Sequence, residues 1–173
     1  YDFFYTFEDV SGENLNWLWE SWYFKMGYPD VAIKSYKKGK LVVNKLGARP
    51  VPVSVNVEYK TKVDGKPKTY TTMVSASVWQ DDNESLTIKI PDGKQVESLT
   101  INSDMPDFNE LDNYFPTLAE RYKKFDLNRG VLGVYKLNEF PVDVIIKEKE
   151  GILFIEDSSS SLTGYLLPVD KNN

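Results

Sequence analysis

The 173-residue sequence predicts a mainly β fold with a minor α part: an N-terminal helical hairpin, a β-sandwich, a short linking helix and a small C-terminal antiparallel β-meander. Three observations predict it. Apolar residues before Pro29 recur at helical spacing. Beyond it, roughly six short stretches alternate apolar and polar residues and are separated by turn signals, the pattern of a sandwich. After one further helical stretch, the alternation resumes from Leu127. The boundaries that follow are 1–28 for the helical part, 29–105 for the sandwich, 106–126 for a linker with its helix, and 127–173 for the small β module.

Phe3, Phe4 and Phe7 fall at helical spacing, so residues 1–10 read as the tail of a helix. Ser11-Gly12 breaks it and leads into a second helix, an αα-hairpin. Leu15, Leu18, Trp19, Trp22 and Met26 stack on one face of that second helix. Ser11 is expected to cap its start, Gly27 to end it in a left-handed turn, and Tyr28-Pro29 to stop any continuation. Trp17, Tyr23 and Phe24 lie off the stripe, so the helix is apolar nearly all round. Such a helix is buried on every side, or has been separated from what buries it.

Val31–Tyr36 and Leu41–Leu46 read as paired strands about the solvated turn Lys37–Lys40. Val51, Val53, Val55, Val57 and Tyr59 alternate with polar residues, and Pro52 places the strand's start at an edge or outside the pairing. Asp64-Gly65 turns this strand into a partner running from Tyr70 through Val74 to Val78. Asp81–Glu84 is a turn that lacks the spaced ligands of a calcium loop. Leu86, Ile88 and Ile90 form the next strand, and Val96, Leu99 and Ile101 close the series. The odd step from Val96 to Leu99 predicts a bulge. Residues 104–113 read as a polar linker, and Tyr114–Phe125 as a helix with Pro116 near its start. Val131–Leu137, Val142–Ile146, Ile152–Ile155 and Leu162–Pro168 make a meander of about four strands, marginal in size for an independent core and expected either to lean on the sandwich or to be itself truncated.

Composition excludes several kinds of chemistry. The chain has no histidine and no cysteine, which removes Ser-His-Asp and Cys-His catalysis and the usual transition-metal ligands. No catalytic residue and no metal ligand is assigned to it. A net charge of −5 argues against nucleic acid as a partner, and no apolar run approaches the ~20 residues of a membrane span. A first residue that is Tyr, with no signal peptide, leads to the expectation of a piece of a longer polypeptide.

One ordered set of phrases carries a family resemblance. Phe7-Glu8 is followed by Ser11-Gly12, Leu15, Trp17, Trp19 and Trp22, then by Gly27-Tyr28-Pro29-Asp30 and Val31-Ala32-Ile33. Pro50-Val51-Pro52-Val53, Ile90-Pro91-Asp92-Gly93-Lys94-Gln95-Val96 and Pro106–Tyr114 come later in the same order. Over residues 1–115 this resembles the C-terminal portion of bacterial zinc metallopeptidases of the aminopeptidase N type, the gluzincins, especially Bacteroidetes-like members. The resemblance implies that the hairpin is the helical end of a catalytic domain and that the sandwich is immunoglobulin-like. It also implies a periplasmic, cell-envelope or secreted location. Residues 127–173, with Leu132-Gly133-Val134-Tyr135, are similar to small β-rich modules appended to secreted bacterial hydrolases. The family's zinc helix, H-E-x-x-H with a distal glutamate, and its G-x-M-E-N motif have no counterpart in this chain. Zinc and peptide hydrolysis are therefore implied for the parent polypeptide alone.

Three functions compete. The first is a non-catalytic accessory region that braces or docks on the catalytic domain through Trp17, Tyr23 and Phe24, while Trp19 and Trp22 belong to the chain's own core. The second is an independent module binding glycan or peptide on Tyr59, Tyr70 and Trp79. The third is an enzyme working through paired carboxylates, but the acidic residues cluster in turns such as Asp81-Asp82 and Glu148–Glu150, where solvation explains them, and no feature sets two of them opposite each other in a cleft.

Overall fold

The computed structural model describes residues 2–102, 106–123, 125, 127–138, 141–159 and 163–167. Tyr1, the expected linker's first residues, part of the serine-rich turn after Ser158, and Pro168 lie outside them. The chain divides into two compact units, 1–115 and 116–173.

The first unit opens with α1 (Asp2–Ser11) and α2 (Asn16–Trp19), the latter continuing as a π-helical turn, Glu20–Phe24. Gly12 takes φ +70° and donates its N–H to the Glu8 carbonyl at 2.8 Å, which ends α1. The expected cap is displaced. Ser11 is the last residue of α1, and Asn14 Oδ1 instead receives the Asn16 N–H at 3.0 Å. Gly27 does not end the second helix either. The chain is already extended at Lys25 (φ −104°, ψ 143°), so Met26 loses the helical phase and is 95% exposed.

Seven strands follow: β1 (Val31–Lys37), β2 (Lys40–Lys45), β3 (Val53–Val63), β4 (Lys66–Val74), β5 (Ser85–Lys89), β6 (Val96–Ile101) and β7 (Tyr114–Phe115). They form two antiparallel sheets, ordered β1-β2-β5 and β4-β3-β6-β7. The hairpin turns use Lys38-Gly39 and Asp64-Gly65, with both residues of each at positive φ, the hand that matches strand twist. The chain changes sheet between β2 and β3, between β4 and β5, and between β5 and β6. This is an immunoglobulin-like sandwich of three strands on four. Val31, Leu41, Val43, Val53, Val55, Val57, Leu99 and Ile101 fill its centre, each exposed by 1% or less. Full burial of such a side chain is worth roughly 1.5–3 kcal/mol, so the stability of this unit is concentrated there.

Pro52 stands just outside the ladder, where no N–H is required of it. The expected bulge is present: Glu58 pairs with Ser98 and Tyr59 with Val96, leaving Glu97 as the extra residue. Two expectations are corrected. β4 stops at Val74 because Ser75 Oγ accepts the Ser77 N–H at 3.3 Å and turns the chain into a 3-10 segment, Ala76–Asp82. That segment carries Trp79 into the core, where its indole N–H donates to the Val51 carbonyl at 2.8 Å. Tyr114 and Phe115 are strand rather than helix: they pair with Thr100 and Leu99, and the Phe115 ring packs 5.1 Å from that of Tyr36.

In the second unit, α3 (Leu118–Tyr122) starts at a capping box formed by Thr117 and Glu120. Strands β8 (Gly133–Lys136), β9 (Asp143–Lys149), β10 (Ile152–Asp157) and β11 (Thr163–Leu166) form an antiparallel meander. Among its described residues, Leu118, Ile152, Leu153 and Phe154 are the buried apolar ones.

Candidate functional site

The helical hairpin presents an aromatic surface. Phe4 lies 5.2 Å from Trp19, 5.4 Å from Tyr23 and 5.9 Å from Phe24, centroid to centroid. Phe3 and Phe7 approach Trp19 at 6.0 and 5.9 Å. These rings meet between α1 and the helix that follows it, yet no residue of α1 or of the π-helical turn is buried. Tyr23 is 60% and Phe24 65% exposed, and Phe3, Tyr5 and Phe7 are about as open. The π-turn is the reason for this phase. Lys25 bonds back to the Glu20 carbonyl at 2.9 Å, an i→i−5 step that rotates the last residues away from the α-helical stripe.

Of the three residues expected at a docking surface, Tyr23 and Phe24 are on this face. Trp17 is not. It is half-buried and lines a separate groove of about 630 Å³ with Glu20, Lys25, Lys45, Trp79 and Asp81. Trp19 serves the hairpin's own aromatic cluster rather than the sandwich core. Trp22 does meet that core: its indole N–H donates to the Pro50 carbonyl at 3.0 Å, and the Arg49 guanidinium sits 5.2 Å above its ring.

A second cluster has no counterpart in the sequence reading. Asp30, Asp107 and Asp112 each place a carboxylate oxygen within 4.8 Å of the other two. Asp30 precedes β1, Asp107 stands before the 3-10 turn Glu110–Asn113 that leads into β7, and Asp112 lies within that turn. The Tyr28 and Phe108 rings stack at 4.1 Å, and the Phe108 N–H donates to the Pro29 carbonyl at 3.1 Å, which brings the segments together. Asp107 accepts the N–H groups of Val31 (3.2 Å) and Asn109 (3.1 Å), and Asp112 Oδ2 accepts from Asn109 Nδ2 at 2.8 Å. Burial and then the negative charge of Asp30 push the Asp112 carboxyl up to about 6. Asp30 is raised by its burial and by Asp107. Spaced 77 positions from Asp107, Asp30 carries no local signal of this meeting. Only the Asp-x-Asn-x-x-Asp run from Asp107 to Asp112 hints at one.

The residues proposed as a glycan platform form none. Tyr59 and Trp79 are buried and Tyr70 packs on the core; the Tyr59 hydroxyl donates to the Pro91 carbonyl at 2.9 Å. The acidic turns do not gather either. Asp81 and Asp82 are exposed, and Glu148 pairs with Arg129 through bonds of 2.9 and 3.2 Å, whose charge-assisted contact holds its carboxyl below the usual range. Comparison of the chain with protein-family models, with curated proteins and with solved structures finds no match.

Proposed function

We propose that the chain is a non-catalytic C-terminal accessory region of a zinc-dependent metallopeptidase resembling the aminopeptidase N type. In this reading the hairpin docks the immunoglobulin-like sandwich onto the catalytic domain, and the sandwich braces that domain. The observation that carries the reading is the exposed face of Phe3, Phe7, Tyr23 and Phe24 on two helices that bury none of their residues. Aromatic side chains combine large apolar area with few rotatable bonds, so such a face gains much on being covered and loses little entropy. The zinc, the attacking water and the substrate-amine site belong to the parent, since this chain has no histidine with which to build the family's metal site. The location proposed with it is periplasmic, cell-envelope or secreted.

Two measurements test this. The coding sequence preceding Tyr1 should contain H-E-x-x-H with its distal glutamate in the same reading frame; its absence overturns the family reading. In the parent polypeptide, Tyr23→Ser combined with Phe24→Ser should lower the thermal midpoint of the catalytic domain and raise hydrogen exchange on α1. An unchanged midpoint and unchanged exchange would sink the docking.

A further inference from the structure

We propose that Asp30, Asp107 and Asp112 form a calcium site that ties the entry of β1 to the segment leading into β7. This inference stands apart from the metallopeptidase reading. The three oxygens lie within 4.8 Å of one another, the span of two ligands on opposite sides of an ion held at about 2.4 Å.

An independent observation points into the cluster. Asp30 is 8% exposed, and its Oδ1 is shielded from solvent with no hydrogen-bond partner. Asp112 Oδ1 is in the same condition. A buried carboxylate oxygen normally has a donor or a cation. No cation is present among the described residues, and the hydrogen-bonding group beside Asp30 is the carboxyl of Asp107, which partners it only when the two share a proton: the ion pairs there join Lys25 to Glu20, Lys68 to Asp92, Arg129 to Glu148 and Lys147 to Glu156, and none reaches this cluster. The charges acting on Asp112 are those of Asp30 and Asp107, both of the same sign.

The rest of the site is already set. The Val31 and Asn109 amides orient Asp107, and the Asn109 amide group orients Asp112, so two of the three carboxylates are held by neighbours while Oδ1 of Asp30 and of Asp112 stays available. Support of this kind around ligating carboxylates fixes geometry before an ion arrives. An all-oxygen anionic donor set selects a hard cation. Calcium fits better than magnesium, because a site divided between two segments 77 residues apart cannot guarantee the rigid octahedron that magnesium demands.

The test uses the whole 173-residue chain, stripped with EDTA and titrated with calcium chloride by calorimetry, with thermal unfolding followed in parallel. Binding of one equivalent and a thermal midpoint that climbs with calcium concentration are expected. Asp30→Asn and Asp112→Asn should each weaken calcium binding at least tenfold. Asp30→Asn should also melt no lower than the wild-type chain in EDTA, which separates lost binding from lost folding. A control carrying Asp81→Asn and Asp82→Asn should bind as the wild type does. The proposal is overturned by no heat of binding at millimolar calcium, by Asp30→Asn binding with unchanged affinity, or by magnesium binding more tightly than calcium.

Discussion

The indole N–H of Trp22 donates to the carbonyl of Pro50 at 3.0 Å, and this bond anchors the helical hairpin to the sandwich. Among the described residues, Trp22 is the one hairpin side chain packed against the sandwich core. Phe3, Phe4, Phe7, Trp19, Tyr23 and Phe24 contact one another. The hairpin meets the sandwich core through Trp22 and leaves Tyr23 and Phe24 open to solvent.

Trp22→Phe keeps most of the packing and leaves the Pro50 carbonyl without its donor. The expected cost is about 1 kcal/mol, or roughly 2–4 °C in the melting temperature of a chain this size. Near-ultraviolet circular dichroism should lose part of its indole signal at the same time, because the ring's fixed contact with Arg49 is changed. A melting temperature equal to the wild type's would mean that the bond does not anchor the hairpin.

Asn102 fills a different structural role beside Pro52. It adopts φ +47°, is 2% exposed, accepts the Ser54 N–H at 2.9 Å and donates to the Pro52 carbonyl at 3.1 Å. It therefore completes the ladder where Pro52 interrupts it. Asn102→Ala should destabilise by about 2–3 kcal/mol, combining two orphaned backbone groups with a non-glycine residue at positive φ. Asn102→Gly relieves the backbone term and should recover up to about 1 kcal/mol in urea unfolding. Equal midpoints for the two variants would show that backbone conformation contributes nothing.

One arm of the pH dependence should be alkaline. Burial raises the Tyr36 and Tyr59 hydroxyls above their ordinary range, and each donates to a carbonyl, of Gly93 and Pro91 respectively, at 2.9 Å. A folded-state value above the unfolded one makes the contribution to stability complete below about pH 10 and progressively lost as pH rises through the folded value. Unfolding free energy from chemical denaturation should therefore be flat in this respect through neutrality and fall beyond pH 10. Tyr59→Phe should start lower at pH 8 and fall less steeply. A wild-type curve that stays level to pH 11 would contradict the burial of these phenols.

The exposed aromatics should be nearly neutral for the isolated chain. Tyr23→Ser with Phe24→Ser removes two rings that are mostly in water, so the stability change should stay within about 1 kcal/mol for the pair, about half that per site. Binding of an apolar-surface dye such as ANS should fall clearly. A large loss of stability would show instead that these rings hold the hairpin together.

What the sequence determined by itself is local. Alternation at Val53, Val55 and Val57 fixed which side of β3 faces inward, because strand side chains alternate by geometry alone. Asp64-Gly65 marked its turn, and the step from Val96 to Leu99 marked a bulge, since both are set within a few residues. The absence of histidine ruled out a histidine-based zinc site without any coordinates. Tertiary structure decided the rest. It seated Trp79 in the core against Val51, drew Tyr114 and Phe115 into the sheet beside β6, and turned Trp19 toward Phe4 rather than toward the sandwich. It also brought Asp30 against Asp107 and Asp112. Those outcomes depend on which distant segments the two sheets bring into contact, and on the low-dielectric, water-poor space between them, and neither is encoded in the spacing of neighbouring residues.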